Sequence, residues 1–371
     1  MKQHFSYMKR ALALAACANP APNPKVGAVL VSKGSILAEG FHKQYGGPHA
    51  EIDLFHSLPK DFDYSNTTLY VSLEPCSHQG KTPSCAAKII ELKIPKVVVA
   101  CVDSNPLVSG RGIAMMRDAG IEVIVGVFRD EAQKLNEAFF KWVQQGMPFI
   151  CMKAAMSLDG KIATASGQSR WISCSASRQD VHRLRNEYTA IMVGINTVLK
   201  DDPILTCRMP GGRNPIRIIV DSTLKTPLSA AVVQTAKDTQ TIIATVNQDK
   251  KHHRKYEEYG VDIIVCAHAQ GHVCLRDMCK RLAEKNVESI LLEGGSQLFY
   301  SALSAQIVDK ARIYIAPFLL GGKQAPSLLQ GEGVLRIEDA FQLNDIFVER
   351  INQDIVIEGM IVHKEGLCLQ G

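Results

Sequence analysis

His49 and Glu51, then Cys76 and Cys85, are the residues of this chain whose types and spacing could do chemistry. One imidazole and two thiolates fill three corners of a tetrahedral zinc site and leave the fourth for water, as a catalytic zinc requires. Such a zinc brings the pKa of that water to about 7. Glu51 follows His49 by two residues, on the first turn of a helix expected over 49–58. There it can move a proton without ligating the metal. The other two ligands also fall at the edges of elements. An apolar strand over 68–73 runs into Glu74-Pro75-Cys76, and Cys85 stands at the start of a helix over 84–92.

The elements that must hold these residues alternate. A strand over 26–32 turns at Lys33-Gly34-Ser35 into its hairpin partner over 36–40. A β-branched strand over 96–101, a helix over 112–119, a strand over 121–127 and a helix over 131–145 follow. This alternation indicates an α/β layered domain. The stop Gly146-Met147-Pro148 divides the chain into domains 1–146 and 147–371. The second half opens on a strand over 149–155. It continues with helices over 175–188, 276–285 and 297–303, and strands over 190–194, 216–220, 241–246, 261–266, 289–292, 311–316 and 355–362.

Composition narrows the function classes. The chain has 371 residues, enough for two domains or three. A net charge of +5 with 6% aromatic residues suits an anionic small molecule and argues against a nucleic-acid groove. No apolar run approaches the roughly 18 residues that span a bilayer. Eleven scattered cysteines in so long a chain read as thiols of a reducing cytoplasm. Leu14-Ala15-Ala16-Cys17 is similar to a bacterial lipoprotein cleavage box. Its apolar stretch is short, however, and Phe5, Met8, Leu12 and Ala15 recur at helical spacing, so an ordinary helix is expected. The basic run over 250–255 reads as a solvated surface segment. Cys266, His268, His272, Cys274 and Cys279 lack a close C-x-x-C pair and read as core thiols with neighbouring histidines. In the second half, Glu293-Gly294-Gly295-Ser296 joins a strand to a helix. Small residues there suit a phosphate at a helix N-terminus, but taken alone a tight strand–helix turn accounts for them better.

H-x-E followed by P-C is the zinc-deaminase signature, which usually ends P-C-x-x-C. Here the insert Cys76-Ser77-His78-Gln79-Gly80-Lys81-Thr82-Pro83-Ser84-Cys85 separates the cysteines. With this longer insert, with Ala21-Pro22-Asn23-Pro24-Lys25-Val26-Gly27-Ala28 and with Gly110-Arg111-Gly112, the first half resembles the deaminase half of the bifunctional riboflavin-biosynthesis deaminase–reductases. Ala21 or Pro22 stands where that family usually has a histidine. The second half resembles the reductase half through residues 153–161, Ser169-Arg170-Trp171-Ile172, residues 193–198, Asp201-Asp202-Pro203-Ile204-Leu205-Thr206-Cys207-Arg208, Ile315-Ala316-Pro317 and Leu320-Gly321-Gly322.

The resemblance implies a cytidine-deaminase-like αβα domain followed by a dihydrofolate-reductase-like α/β domain. It implies one zinc per chain and NADPH as cofactors. The implied substrate is 2,5-diamino-6-ribosylamino-4(3H)-pyrimidinone 5′-phosphate, deaminated to 5-amino-6-(5-phosphoribosylamino)uracil, whose ribosyl group is then reduced to ribityl. By position, Asn23 and Lys81 would contact the deaminase substrate, although Lys81 also reads as a solvated loop residue, and His42 and His78 read as surface or structural histidines. Ala155, Trp171, Thr197, Asp201, Ser222, Gly294, Gly295 and Ser296 would face NADPH. Ser169, Arg185, Leu205, Arg208 and Glu293 would face the reductase substrate, with Lys153 or Asp201 as its acid. The two arginines suit a ribose phosphate because a guanidinium makes charge-assisted, bidentate bonds to it. A cytoplasmic homo-oligomer, dimer or tetramer, that binds neither membrane nor nucleic acid is expected. The competing readings are a deaminase of nucleic-acid bases and a non-catalytic regulator that keeps zinc and dinucleotide folds as binding modules. Glu51 counts against the second, since a structural zinc does not require it.

Overall fold

Val-, Ile- and Leu-rich runs form the strands of both halves, and amphipathic segments cover them. The computed structural model describes residues 2–77, 84–105 and 109–363; Lys81 and His78 lie outside these. The chain divides into two units, Met1–Gly146 and Met147–Gly371.

In the first unit the elements are α1 (Lys2–Ala16), β1 (Gly27–Ser32), β2 (Ser35–Phe41), α2 (Ala50–His56), β3 (Thr68–Leu73), α3 (Cys85–Glu91), β4 (Lys96–Cys101), α4 (Arg111–Asp118), β5 (Glu122–Val125), α5 (Arg129–Leu135) and α6 (Glu137–Gln145). The sheet order is β2-β1-β3-β4-β5. β1 is antiparallel to both neighbours, and β3, β4 and β5 run parallel. Alternate residues serve opposite faces. Leu30, Leu69 and Val97 join Leu54, Ile89 and Met116 from the helices α2, α3 and α4. Val29, Tyr70 and Val98 join Met8, Ala132 and Phe140 from α1, α5 and α6. A sheet buried on both faces is the three-layer arrangement expected for this half.

Two local outcomes differ from the periodicity, and a third feature is set by close packing. α1 is an ordinary helix and buries Met8, Ala11 and Ala15, but Phe5 is 44% exposed. The helix expected over 131–145 breaks at Asn136. The Asn136 amide accepts the Lys25 N–H at 2.8 Å and donates to the Lys25 carbonyl at 2.9 Å, so the break holds the loop that carries Asn23. Gly40 on β2 has no room for a side chain, because a Cβ would sit 2.4 Å from the Ala50 carbonyl; this lets α2 lie directly on the sheet.

The second unit runs β6 (Phe149–Ser157), α7 (Ser175–Glu187), β7 (Ala190–Gly194), α8 (Ile195–Asp201), β8 (Ile216–Val220), α9 (Ala231–Gln234), β9 (Thr241–Thr245), α10 (Lys250–Glu257), β10 (Val261–Val265), a short hairpin of β11 (His268–Ala269) and β12 (His272–Val273), α11 (Leu275–Glu284), β13 (Ser289–Leu292), α12 (Ser296–Ser304), β14 (Lys310–Ala316), β15 (Leu343–Ile351) and β16 (Asp354–Ile361). The order is β10-β9-β8-β7-β13-β6-β14-β16-β15. From β10 to β14 the strands are parallel, so their carboxyl ends share one edge, where open α/β sheets bind ligands. β16 and β15 close the other side antiparallel.

The basic run at 250–255 lies at the surface, with Lys250, Lys251, Arg254 and Lys255 exposed. It forms α10, whose His253 and Tyr256 are buried. Cys266 and Cys279 are buried in the apolar core with Met278 and Leu282, as core thiols. β15 had no clear sequence signal because its Ile346, Phe347 and Val348 are all exposed.

Candidate functional site

The three residues expected to hold zinc arrive from three elements. His49 is the residue that caps α2, Cys76 follows β3, and Cys85 begins α3. Ser84 caps α3 by accepting the Ala87 N–H, which holds Cys85 at the helix start. His49 Nδ1 lies 3.6 Å from Cys76 Sγ and 3.3 Å from Cys85 Sγ. Tetrahedral zinc with ordinary Zn–N and Zn–S bonds separates such atoms by roughly 3.5 Å, so the donor set fits the metal. Among the described residues this is the one group of three or more His, Cys, Asp or Glu side chains able to hold an ion. Cys76 is the more acidic thiol of the pair. Its thiolate accepts from the Cys85 thiol and, at 3.3 Å, from the Cys85 backbone N–H, while the Cys85 thiol is pushed up.

Glu51 is buried beside these ligands and bonded to the Cys85 thiol. Burial pushes its carboxyl above the usual range, and the Cys76 charge adds to the effect. Asn23 stands near through His42, a buried, structural histidine. A carbonyl can only accept, so His42 Nδ1–H donates to the Pro48 carbonyl at 2.8 Å. His42 Nε2 therefore accepts from the Asn23 amide at 3.0 Å, leaving the Asn23 carbonyl oxygen for another donor. Burial holds the His42 pKa below the ordinary value, so the ring is neutral. It packs edge-on against His49 at 5.4 Å between ring centroids. No sequence spacing signals this pair.

Glu74 is a second residue that sequence reasoning passed over. Its buried carboxylate accepts four backbone N–H groups, those of Asp103, Gly110, Gly112 and Ile113, at 2.9–3.2 Å. The Gly110-Arg111-Gly112 motif follows from this. Gly110 takes φ 76°, and a Cβ on Gly112 would lie 2.0 Å from the Pro75 carbonyl.

In the second unit, Lys153 on β6, Arg185 on α7 and Glu293 after β13 come together. Arg185 pairs with Glu293 through two bonds of 2.8 and 3.0 Å, and Lys153 Nζ lies 3.9 Å from Glu293. Burial alone would raise the Glu293 carboxyl, but the Arg185 and Lys153 charges outweigh it and hold it at about 2. Burial draws the Lys153 ammonium down, opposed by the Glu293 charge.

Ala155, Thr197, Ser222 and the Gly294-Gly295-Ser296 turn all follow or end parallel strands at the same sheet edge. Two of their side chains are already engaged. The Ser222 hydroxyl accepts the Val273 N–H, and Ser296 donates to the Ser327 carbonyl. The Leu205 side chain is buried in the core, with φ 58°, so only its backbone can face a substrate. Trp171 is 64% exposed, with the Arg178 guanidinium 4.5 Å over its ring. The Asp201 carbonyl accepts from Arg170 at 3.1 Å, tying the half-buried Ser169 and its loop to the end of α8. Arg208 is exposed. Lys81 lies outside the described residues.

Comparison with known proteins places both halves of the chain in one family. Residues 1–101 match the cytidine and deoxycytidylate deaminase zinc-binding region, and residues 148–357 match the RibD C-terminal domain. The chain is 45% identical to the riboflavin biosynthesis protein RibD of Actinobacillus pleuropneumoniae over 96% of its length and 95% of that protein's. It is 41% identical to RibD of Aquifex aeolicus over 95% of its length and 97% of that protein's. Among solved structures, RibD of Acinetobacter baumannii superimposes with a TM-score of 0.87 at 32% identity, covering 98% of this chain and 99% of that one. The Thermotoga maritima diaminohydroxyphosphoribosylaminopyrimidine deaminase/5-amino-6-(5-phosphoribosylamino)uracil reductase gives 0.86 at 36% identity, covering 97% and 99%. The chain belongs to the RibD family, the bifunctional deaminase–reductases of riboflavin biosynthesis.

Proposed function

We propose that residues 1–146 deaminate 2,5-diamino-6-ribosylamino-4(3H)-pyrimidinone 5′-phosphate and that residues 147–371 reduce the ribosyl group of the product to ribityl. The observation that carries this reading is the His49–Cys76–Cys85 cluster with Glu51 buried against it. A zinc ion held there supplies the Lewis acidity that makes water a nucleophile near neutral pH. Glu51 takes a proton from that water and delivers it to the departing amine, so that ammonia leaves. The Asn23 carbonyl oxygen, fixed by neutral His42, accepts from a ring N–H or amino group and orients the pyrimidine.

In the reductase unit NADPH supplies the hydride. Ala155, Trp171, Thr197, Asp201, Ser222 and the backbone of Gly294, Gly295 and Ser296 line its place at the carboxyl edge of the sheet. Lys153 is the better-placed acid, because burial and the neighbouring guanidinium ease release of its proton toward the sugar oxygen freed when the ribose opens. Glu293 holds Arg185 in a two-bond pair at the sugar, and Arg208 meets the phosphate.

The chain acts as a cytoplasmic homo-oligomer through its reductase unit. The β15 edge, where Ile346, Phe347 and Val348 are 54–60% exposed, supports an interface between copies. No described helix is long and apolar enough to cross a membrane, and the ten described cysteines are free thiols. Sedimentation equilibrium of the purified chain tests the assembly.

The deciding experiment assays one purified sample, with its zinc quantified, on the diaminopyrimidine ribosyl phosphate. Ammonia release followed by NADPH oxidation, with about one zinc per chain, is the expected result. Ammonia without NADPH oxidation confines the reading to the first unit. Neither signal from a folded, zinc-loaded protein overturns it.

A further inference from the structure

α7 does more than supply Arg185. Its last two turns are stitched to the segment that carries Arg208. Arg185 donates to the Thr206 carbonyl at 3.1 Å, the Cys207 thiol to the His182 carbonyl at 3.4 Å, and the Arg213 N–H to Asn186 at 2.8 Å. At the centre, the Arg208 backbone N–H donates to His182 Nδ1 at 3.3 Å. This last bond is accepted by an imidazole nitrogen, and it requires Nδ1 to be unprotonated.

We propose that His182 is a positioning residue of the reductase site, which holds Arg208 toward the substrate phosphate by accepting its backbone N–H. The proposal rests on the assignment of Arg208 to that phosphate. Three features support it. His182 and Arg185 are three residues apart, on one face of α7, so one helix sets both arginines of the site. The groups whose charge His182 feels come from every element around it: Arg185 on its own helix, Arg208 on the loop, Lys153 on β6 and Glu293 after β13. Burial, then the Arg185 and Arg208 charges, keep the ring neutral, which is the state the bond needs. Arg208 itself is exposed and its backbone N–H is bonded to His182, so its backbone is what the fold can control.

The test compares His182→Ala, His182→Asn and Arg208→Ala with the unaltered enzyme. Reductase kinetics are followed on the deaminated substrate and on its dephosphorylated counterpart. On the phosphate ester, His182→Ala should raise KM about tenfold, the scale of one lost hydrogen bond at a charged site, with kcat little changed. Asn offers an acceptor near the place of Nδ1, so His182→Asn should recover most of the loss. On the dephosphorylated compound the two His182 variants should match the unaltered enzyme. In the unaltered enzyme the KM should also rise as pH falls below the ordinary histidine range, and His182→Asn should lack that limb once the phosphate's own titration, common to both, is divided out.

An unchanged KM in His182→Ala, beside a raised KM in Arg208→Ala, overturns the positioning role and leaves the site assignment standing. A loss confined to kcat, or no recovery in a folded His182→Asn protein, also overturns it. A normal KM in Arg208→Ala overturns the assignment and the proposal together.

Discussion

Glu51 and Glu293 show how two buried glutamates are driven in opposite directions. Glu51 has only the His49 ring as an opposing charge, and burial, with the Cys76 charge, outweighs it and raises its pKa. Glu293 is ringed by Arg185 and Lys153 and stays ionised. The first suits proton transfer and the second suits holding a guanidinium. Glu51→Gln should therefore keep zinc, since His49, Cys76 and Cys85 remain, while ammonia release falls by at least about a hundredfold. Metal analysis beside an ammonia assay checks this, and near-normal deamination would refute the proton-shuttle role. The Glu293 pair gives a pH prediction. Its folded pKa of about 2 lies below the ordinary 4.5, so its contribution to stability is present above about pH 4.5 and is lost as pH falls toward 2. The stability gap between the unaltered chain and Glu293→Gln should shrink over that window in denaturant titrations. A constant gap would show that the pair contributes little. The ligand types and the Glu51 offset were legible in the sequence because zinc chemistry restricts both. The His42–Asn23 bond was not, because it joins residues whose proximity only the folded sheet creates.

Elements set what these residues can reach. Arg217, on β8, is wholly buried and has no carboxylate partner in its hydrogen-bond set. Its guanidinium instead donates to Thr241, Thr235 and the carbonyls of Ile204, Thr235 and Thr239 at 2.7–3.2 Å. It thereby anchors the loop that runs from Asp201 to Arg208. Burial lowers its pKa to about 10, yet it remains charged at neutral pH. Arg217→Met should cost about 2–4 kcal/mol, because the stranded carbonyls and hydroxyls lose their donor. Chemical denaturation measures this; an unchanged midpoint would mean that the cost of burying the charge cancels its bonds. Asp159 acts similarly at the surface. It accepts the Leu320 and Gly321 N–H groups at 3.0 and 2.7 Å, joining two motifs that lie far apart in sequence. Strands with β-branched runs, such as β4 and β8, were legible from composition. α8, α9 and β15 were not, since short helices carry too few turns for a period, and an exposed edge strand carries no alternation.

At the scale of the whole molecule, the two units carry separate chemistries on separate sheets. Stripping zinc with a chelator should abolish ammonia release while NADPH oxidation on pre-deaminated substrate stays within about twofold, because the described metal-binding cluster lies entirely in the first unit. Equal loss of both activities would mean that the metal supports the reductase as well. The division near Gly146, the α/β class, the candidate zinc donors and the family likeness could all be read from residue order. Each depends on residue type at short range: a glycine–proline stop, alternating periods, ligand spacing and local motifs. Only the tertiary structure decided which polar residues face one another. Lys153, Arg185 and Glu293 come from three elements, and their pKa values follow from mutual distance and burial. Likewise Leu205, Ser222 and Ser296 were expected at the reductase site, and the fold engages their side chains in core packing and backbone bonds. Electrostatics and packing act through space, so chain order alone does not specify them.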